Sequence, residues 1–192
     1  IEAFQTTALV DYTKMGVPDN SQVQTHKRNF AFVKGGFDML LISDSIEMKN
    51  PYQSRINFNT MSTGVSLNGN TATATCYNNK ELDITVLEPK NAEFDVLTRG
   101  LISGNYPAFG DMSGRQDHLQ VKNQSDGDYF SVLYPKEAGT KGLSIRTLYQ
   151  AGSGAAYEIR NREGDAVVAA VNNSVSEPAA VTWKAAGSET LL

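Results

Sequence analysis

Apolar and polar residues alternate with a period of two along most of this chain, in short runs cut by Gly, Asn, Asp and Pro. That period sets successive side chains on opposite faces of a pleated strand. No window carries apolar residues at i, i+3, i+4 and i+7 for long enough to make an amphipathic helix. The pattern predicts strands over Glu2–Tyr12, over two arms within Val23–Met48, and over Arg55–Met61, Gly64–Leu67, Thr71–Tyr77 and Glu81–Glu88. It predicts further strands over His118–Lys122, Tyr129–Tyr134, Leu143–Tyr149, Tyr157–Asn161, Ala166–Asn172 and Val181–Lys184. Met15–Ser21 reads as a loop, Asn50-Pro51 as a break, and Asn68-Gly69, Asn78-Asn79 and Pro89–Asn91 as turns. Turn signals at intervals of about 8–12 residues are the spacing of a sandwich or barrel. The expected fold is all-β, an antiparallel two-sheet β-sandwich of about a dozen strands. Gly-rich Leu101–Arg115 has no period and reads as a long loop, a length that is uncommon without a function.

Alternation also assigns faces. Ile56 and Phe58 share one side of their strand; Leu82, Ile84 and Val86 point inward with Asp83 and Thr85 outward; Thr alternates with Ala up to Cys76, which suggests a crowded face. The two arms of Val23–Met48 meet at Gly35-Gly36, a hairpin signal. With Lys34-Gly35-Gly36 as the loop, Val33 faces Phe37 and His26 falls opposite Asp44. Phe30, Phe32, Leu40, Ile42 and Ile46 then form one apolar face, expected to look into the core. His26, Arg28 and Asp44 sit on that same face. A one-residue change of loop length would put His26 and Asp44 on opposite faces.

Composition narrows the function classes. The 192 residues fit one domain, able to bury roughly 70% of the surface that the unfolded chain exposes. One cysteine excludes an internal disulfide. A net charge of −4 with scattered basic residues gives no footprint for nucleic acid. No apolar stretch approaches the roughly 18 residues of a membrane-spanning helix. The chain begins at Ile1 without methionine or signal peptide and ends at Leu191-Leu192 without a polar tail. Both ends suggest a piece of a longer protein.

Few residues suggest chemistry. There is no nucleophile elbow, phosphate loop, dinucleotide fingerprint or Cys-x-x-Cys, and Cys76 reads as a small core residue. His26, Arg28 and Asp44 stand out because charged groups on an apolar face are costly unless paired. One reading is an Arg28–Asp44 ion pair with His26 hydrogen-bonded beside it. The other is a zinc site with His26 and Asp44 as ligands, for which the only other histidine is His118; a fixed cation at Arg28 opposes it. Tyr52, Arg55, Tyr106 and Arg115 lie in or beside predicted loops, where rings stack on sugars and guanidinium groups fork onto carboxylates.

The run THKRNFAFVKGGFDMLLISDSI (Thr25–Ile46), followed by PYQSRINFNT (Pro51–Thr60), resembles the β domain of heparinase II/III-like polysaccharide lyases, a group that includes the oligoalginate lyases. DGDYFSVLYP (Asp126–Pro135) and YEIRNREGDAVVAAVNN (Tyr157–Asn173) extend the likeness. The resemblance implies a C-terminal antiparallel β-sandwich that follows an N-terminal α/α toroid and acts on uronic-acid-containing polysaccharides by β-elimination. It implies that the main Asn, Tyr and His catalysts lie on the toroid, so no catalytic residue is expected in this chain. The β domain of such enzymes walls the cleft, a role expected here of Tyr52 and Arg55 as substrate-binding residues. In several members it holds a metal through a His, an Asp and a second His. His26 and Asp44 match the first two positions, and Asn57-Phe58-Asn59-Thr60 departs at the third. Asn59, a poor zinc ligand, falls on the side opposite Ile56 and Phe58.

Residues 1–192 are therefore expected to form a single sandwich domain, a C-terminal fragment that is inactive alone. Its expected partners are an acidic polysaccharide and the toroid of the same protein, in a periplasmic or secreted location. Zinc is the one cofactor in view, and neither nucleic acid nor membrane is expected as a partner. The alternative is a free-standing carbohydrate-binding or adhesion sandwich with no enzymatic parent.

Overall fold

The computed structural model describes residues 1–17, 19, 21–35, 38–50, 54–100, 115–122, 127–152, 154–172, 182–185 and 188–191. Sixteen strands occur among them. In chain order they are β1 (Ala3–Thr6), β2 (Val10–Val17), β3 (Val23–Val33), β4 (Met39–Met48), β5 (Arg55–Thr60), β6 (Ser62–Asn68), β7 (Thr71–Cys76) and β8 (Lys80–Glu88). Then come β9 (Glu93–Gly100), β10 (Arg115–Lys122), β11 (Gly127–Glu137), β12 (Ser144–Ala151), β13 (Gly154–Arg160), β14 (Ala166–Asn172), β15 (Thr182–Ala185) and β16 (Ser188–Leu191). Every pairing is antiparallel.

The large sheet has eight strands in the order β1-β2-β3-β4-β11-β8-β7-β6. Two three-stranded sheets, β5-β10-β9 and β12-β13-β14, accompany it, with β15-β16 as a separate pair. Strand parity shows how they stack. Met39 and Leu41 of β4, Leu87 of β8, and Phe130 and Val132 of β11 pack with Tyr157, Ile159 and Val167 of the β12–β14 sheet. The alternate residues, Ile42 and Ile46 of β4, Ile84 and Val86 of β8 and Tyr129 of β11, pack with Ile56, Phe58, Leu119 and Val121 of the β5-β10-β9 sheet. Successive residues face opposite ways, so the large sheet lies between the two small ones. The antiparallel sandwich is as expected, but it has three layers, with the large sheet covered on both faces. Removing both faces from water, at roughly 25 cal/mol per Å² of apolar surface, drives the stacking. The uninterrupted run Met39–Ile42, and Tyr129–Leu133 broken only by Ser131, carry the sequence signal of a strand buried on two sides.

Double coverage revises several expected faces. Asp83, expected outward, is buried, because β8 is covered on that side as well. On β3 the more buried residues are Asn29, Ala31 and Val33, whereas Phe32 is 40% exposed. The cover given by the β5-β10-β9 sheet thins over β3 and over the hairpin end of β4, so Phe30 and Leu40 are only partly buried against its cluster. The crowded face of β7 is as expected: Ala72 and Ala74 have no exposure.

Local chemistry moves some boundaries. Glu2–Tyr12 is two strands rather than one. The Thr7 hydroxyl donates to Val10 O at 3.0 Å and accepts from Leu9 N at 3.2 Å and Val10 N at 2.9 Å, closing a turn that competes with the sheet ladder. Met15, Gly16 and Val17, expected in a loop, continue β2. Asn78 and Asn79 both take φ of 59°, the conformation of a type I′ turn. β9 was not expected, although Phe94 and Val96 alternate toward the core. The expected long loop lies outside the described residues except for Arg115, which opens β10.

Candidate functional site

The site grows from the β3–β4 hairpin. Its register pairs Val33 with Met39, Phe30 with Ile42, Arg28 with Asp44 and His26 with Ile46. Val33 was expected to face Phe37, so the loop is two residues longer than the sequence suggested. The residue opposite Asp44 is Arg28, not His26. An even shift keeps every side chain on its face, whereas a shift of one would have reversed them all. His26 becomes the diagonal neighbour of Asp44, within reach of a long side chain.

The three groups meet on one oxygen. Arg28 Nε donates to Asp44 Oδ1 at 2.5 Å, and His26 Nε2 lies 2.7 Å from the same atom. Asp44 has no exposure, while His26 and Arg28 keep 20% and 29% of their side-chain surface. The arrangement is a buried anion with two half-covered nitrogen partners at the rim. A carboxylate oxygen only accepts, so His26 donates from Nε2 in this contact. Asp44 Oδ2 is buried with no hydrogen-bond partner among the described residues. The Arg28 guanidinium lies 5.7 Å from the centre of the Phe30 ring, a cation–π distance.

The next strand supports this carboxylate. Tyr129 of β11 pairs with Asp44 and is itself fully buried. Its hydroxyl donates to Ser54 O at 2.9 Å and lies 2.8 Å from Ser54 Oγ. A Cβ at Gly127 would stand 2.3 Å from Ser54 Oγ and 2.5 Å from the Tyr129 ring. Only glycine fits there, and its bare backbone lets the ring lie against the strand.

The donors among the described residues do not make up a zinc site. Among the described residues no group of three His, Cys, Asp or Glu side chains comes together. His118 pairs with Asn59 on the side of β10 opposite buried Leu119 and Val121. Both therefore point out of the sandwich, as the parity of Asn59 led us to expect. The Arg28 guanidinium on Asp44 Oδ1 is a fixed cation beside the place a divalent ion would take. The ion-pair reading is the one the geometry matches.

The expected substrate residues fall elsewhere. Arg55 opens β5 and is exposed, on the outer face with Asn57 and Asn59, so the fold does not bring it to His26 and Asp44. Tyr52 and Tyr106 lie outside the described residues, as does the Arg115 side chain. Cys76 is half-buried and free, and burial raises its thiol pKa, away from nucleophilic use.

Two polar clusters escaped the sequence reading. Asp117, fully buried on β10, accepts from Ser62 Oγ at 2.6 Å and Thr98 Oγ1 at 2.7 Å. Its signal was a carboxylate in phase with Leu119 and Val121. Lys136 of β11, with 8% of its side chain exposed, is 2.5 Å from Glu81 Oε2 and 3.7 Å from Asp83 Oδ1. Its partners lie on a strand distant in sequence, so no local pattern announced them.

No protein-family model matches the chain, and no curated protein matches it. Solved structures do. The heparan sulfate lyase HepC from Pedobacter heparinus superposes with a TM-score of 0.66 at 12% identity, covering 92% of this chain and 28% of the lyase. A heparinase III, the BT4657 gene product, gives 0.64 at 10% identity over 89% of this chain and 27% of its own. A further heparinase III structure gives 0.61 at 13% identity over 88% and 26%. At such identities the likeness is one of fold: nearly all of this chain has the fold of a region that makes up about a quarter of each heparinase III structure.

Proposed function

We propose that this chain is the C-terminal β-sandwich domain of a polysaccharide lyase that cleaves uronic-acid-containing glycans by β-elimination, and that it walls the cleft rather than carrying the main catalysts. The observation behind this reading is a convergence. The hairpin whose sequence resembles the heparinase II/III-like lyases also holds the buried Asp44 with His26 and Arg28, within a fold similar to heparinase III structures. β-Elimination needs a base for the proton beside the uronate carboxyl and groups that neutralise the developing anion. In this reading a toroid of the same protein supplies the base. Arg55, exposed on the outer face, binds a uronate carboxylate by its guanidinium fork, and Tyr52 stacks on a sugar ring. Asp44, His26 and Arg28 are positioning residues that fix the β3–β4 wall without a metal. An acidic glycan as substrate fits a periplasmic or secreted protein.

The test is formation of unsaturated uronate, followed by ultraviolet absorbance, with heparan sulfate and alginate as probes. We expect turnover by the full-length protein and none by residues 1–192 alone. Arg55→Ala in the full-length protein should raise KM several-fold with kcat little changed. Turnover by the isolated chain rejects the accessory role. No turnover by the full-length protein, with glycan binding retained by the chain, favours the free-standing binding module instead. Zinc addition should leave the unfolding midpoint of the chain unchanged; a rise that depends on His26 would restore the metal site.

A further inference from the structure

Where β7 and β8 emerge from under the β12–β14 sheet, a groove of about 460 Å³ opens beside the edge strand β12. It lies on the opposite face of the large sheet from Arg55: Leu87 and Tyr157, which line it, belong to the core shared with the β12–β14 sheet. The volume is within the range of small-ligand sites.

Its lining is divided. Leu143 and Ile145 form an aliphatic wall with Leu87. Facing them are hydroxyls, with Thr71 Oγ1 and Thr85 Oγ1 2.9 Å apart and Thr147 at the exposed rim. Lys90 also lines the groove, with its ammonium in no ion pair among the described residues. Behind the lining, Glu88 Oε1 accepts from the hydroxyl of Tyr157 at 2.5 Å and from Gln150 Nε2 at 2.7 Å.

Each part limits the ligand. The hydroxyl strip is ill-suited to a lipid or wholly apolar molecule, whose burial would leave polar groups unpaired. A divalent ion would find one nearby carboxylate, whose Oε1 already serves two donors. A nucleotide would want an exposed aromatic face and more than one cation. A saccharide has both a C–H face for the aliphatic wall and a hydroxyl edge for the threonines. The single unpaired cation suits one acidic group on that sugar. We propose that this groove binds a short uronate-bearing saccharide, with its carboxylate on Lys90 and its hydroxyls on Thr71, Thr85 and Thr147, as a surface site separate from the cleft wall. The assignment does not rest on the lyase reading and survives if the protein proves to have no lyase activity.

The experiment titrates the isotope-labelled 192-residue chain with cellobiouronic acid and, separately, with cellobiose, which has a neutral hydroxymethyl group in place of the carboxylate. Amide shifts are followed by NMR. We expect both sugars to move the amides of Asn70, Thr85, Lys90 and Thr147, the uronate about fivefold more tightly. Lys90→Ala, at an exposed position outside the core, should abolish that preference while leaving the spectrum dispersed. Thr85→Val should weaken both sugars. Equal affinity for the two sugars, an unchanged preference in Lys90→Ala, shifts confined to other surfaces, or no shifts at millimolar sugar would each overturn the proposal. Arg55→Ala serves as the contrast: it should leave these shifts intact while impairing the cleft wall.

Discussion

The two faces of the large sheet are built differently. Toward the β12–β14 sheet the core is largely apolar, with the Phe130 and Tyr157 rings 5.6 Å apart and with Asn29, Ser43 and Asp83 among its buried polar residues. Toward the β5-β10-β9 sheet it contains Asp44 and Asp117, the two carboxylates with no exposure among the described residues. The first face gains free energy with every methylene it hides. The second includes groups that lose free energy on burial unless their partners are in place. The apolar face therefore carries stability, and the polar one carries geometry: a carboxylate with two nitrogen partners holds three side chains in fixed orientation. The two buried acids also differ from each other. Both oxygens of Asp117 accept from hydroxyls, whereas the partners of Asp44 crowd onto Oδ1 alone.

Substitutions can break this contrast. Phe130→Ala should cost the most, about 3–5 kcal/mol in urea unfolding, because its site in the apolar face cannot collapse around the cavity. Arg28→Met should cost about 3 kcal/mol by stranding a buried carboxylate. Much of that loss should return when Asp44→Leu is added, since the double variant buries no charge. A single-variant cost below about 1 kcal/mol would mean that Arg28 is a surface pair of little weight.

The smallest effect concerns the edge of the apolar face. A hydrogen bond from Lys136 holds the Glu81 carboxyl below its usual pKa. The unfolded chain, with the ordinary value, takes up the proton first as pH falls. The contribution of Glu81 is thus complete above the ordinary carboxylate pKa and is lost as pH drops through the lowered one. Lys136→Met should flatten the dependence of the unfolding midpoint on pH across that acidic window. Below the window, where Glu81 is protonated in both states, the difference between the variant and the parent should narrow. An unchanged slope would remove Glu81 from the acid response.

Alternation alone was enough to determine that the chain is all-β and antiparallel, and to place most of its strands. Period-two patterning and turn residues are local properties, readable without knowing what lies across the sheet. His26, Arg28 and Asp44 were legible as a group for the same reason: they share a parity, and a loop lengthened by two residues preserves it. Only the tertiary structure decided that Arg28, not His26, stands opposite Asp44, because hairpin register follows the backbone path of the loop. It also decided that the large sheet is covered twice, which buried Asp83 and left Phe32 half in water. Lys136 with Glu81, and the groove beside Lys90, depend on strands brought together from distant parts of the chain. Such pairings are set by which sheets stack and where their coverage ends, and no run of neighbouring residues encodes that.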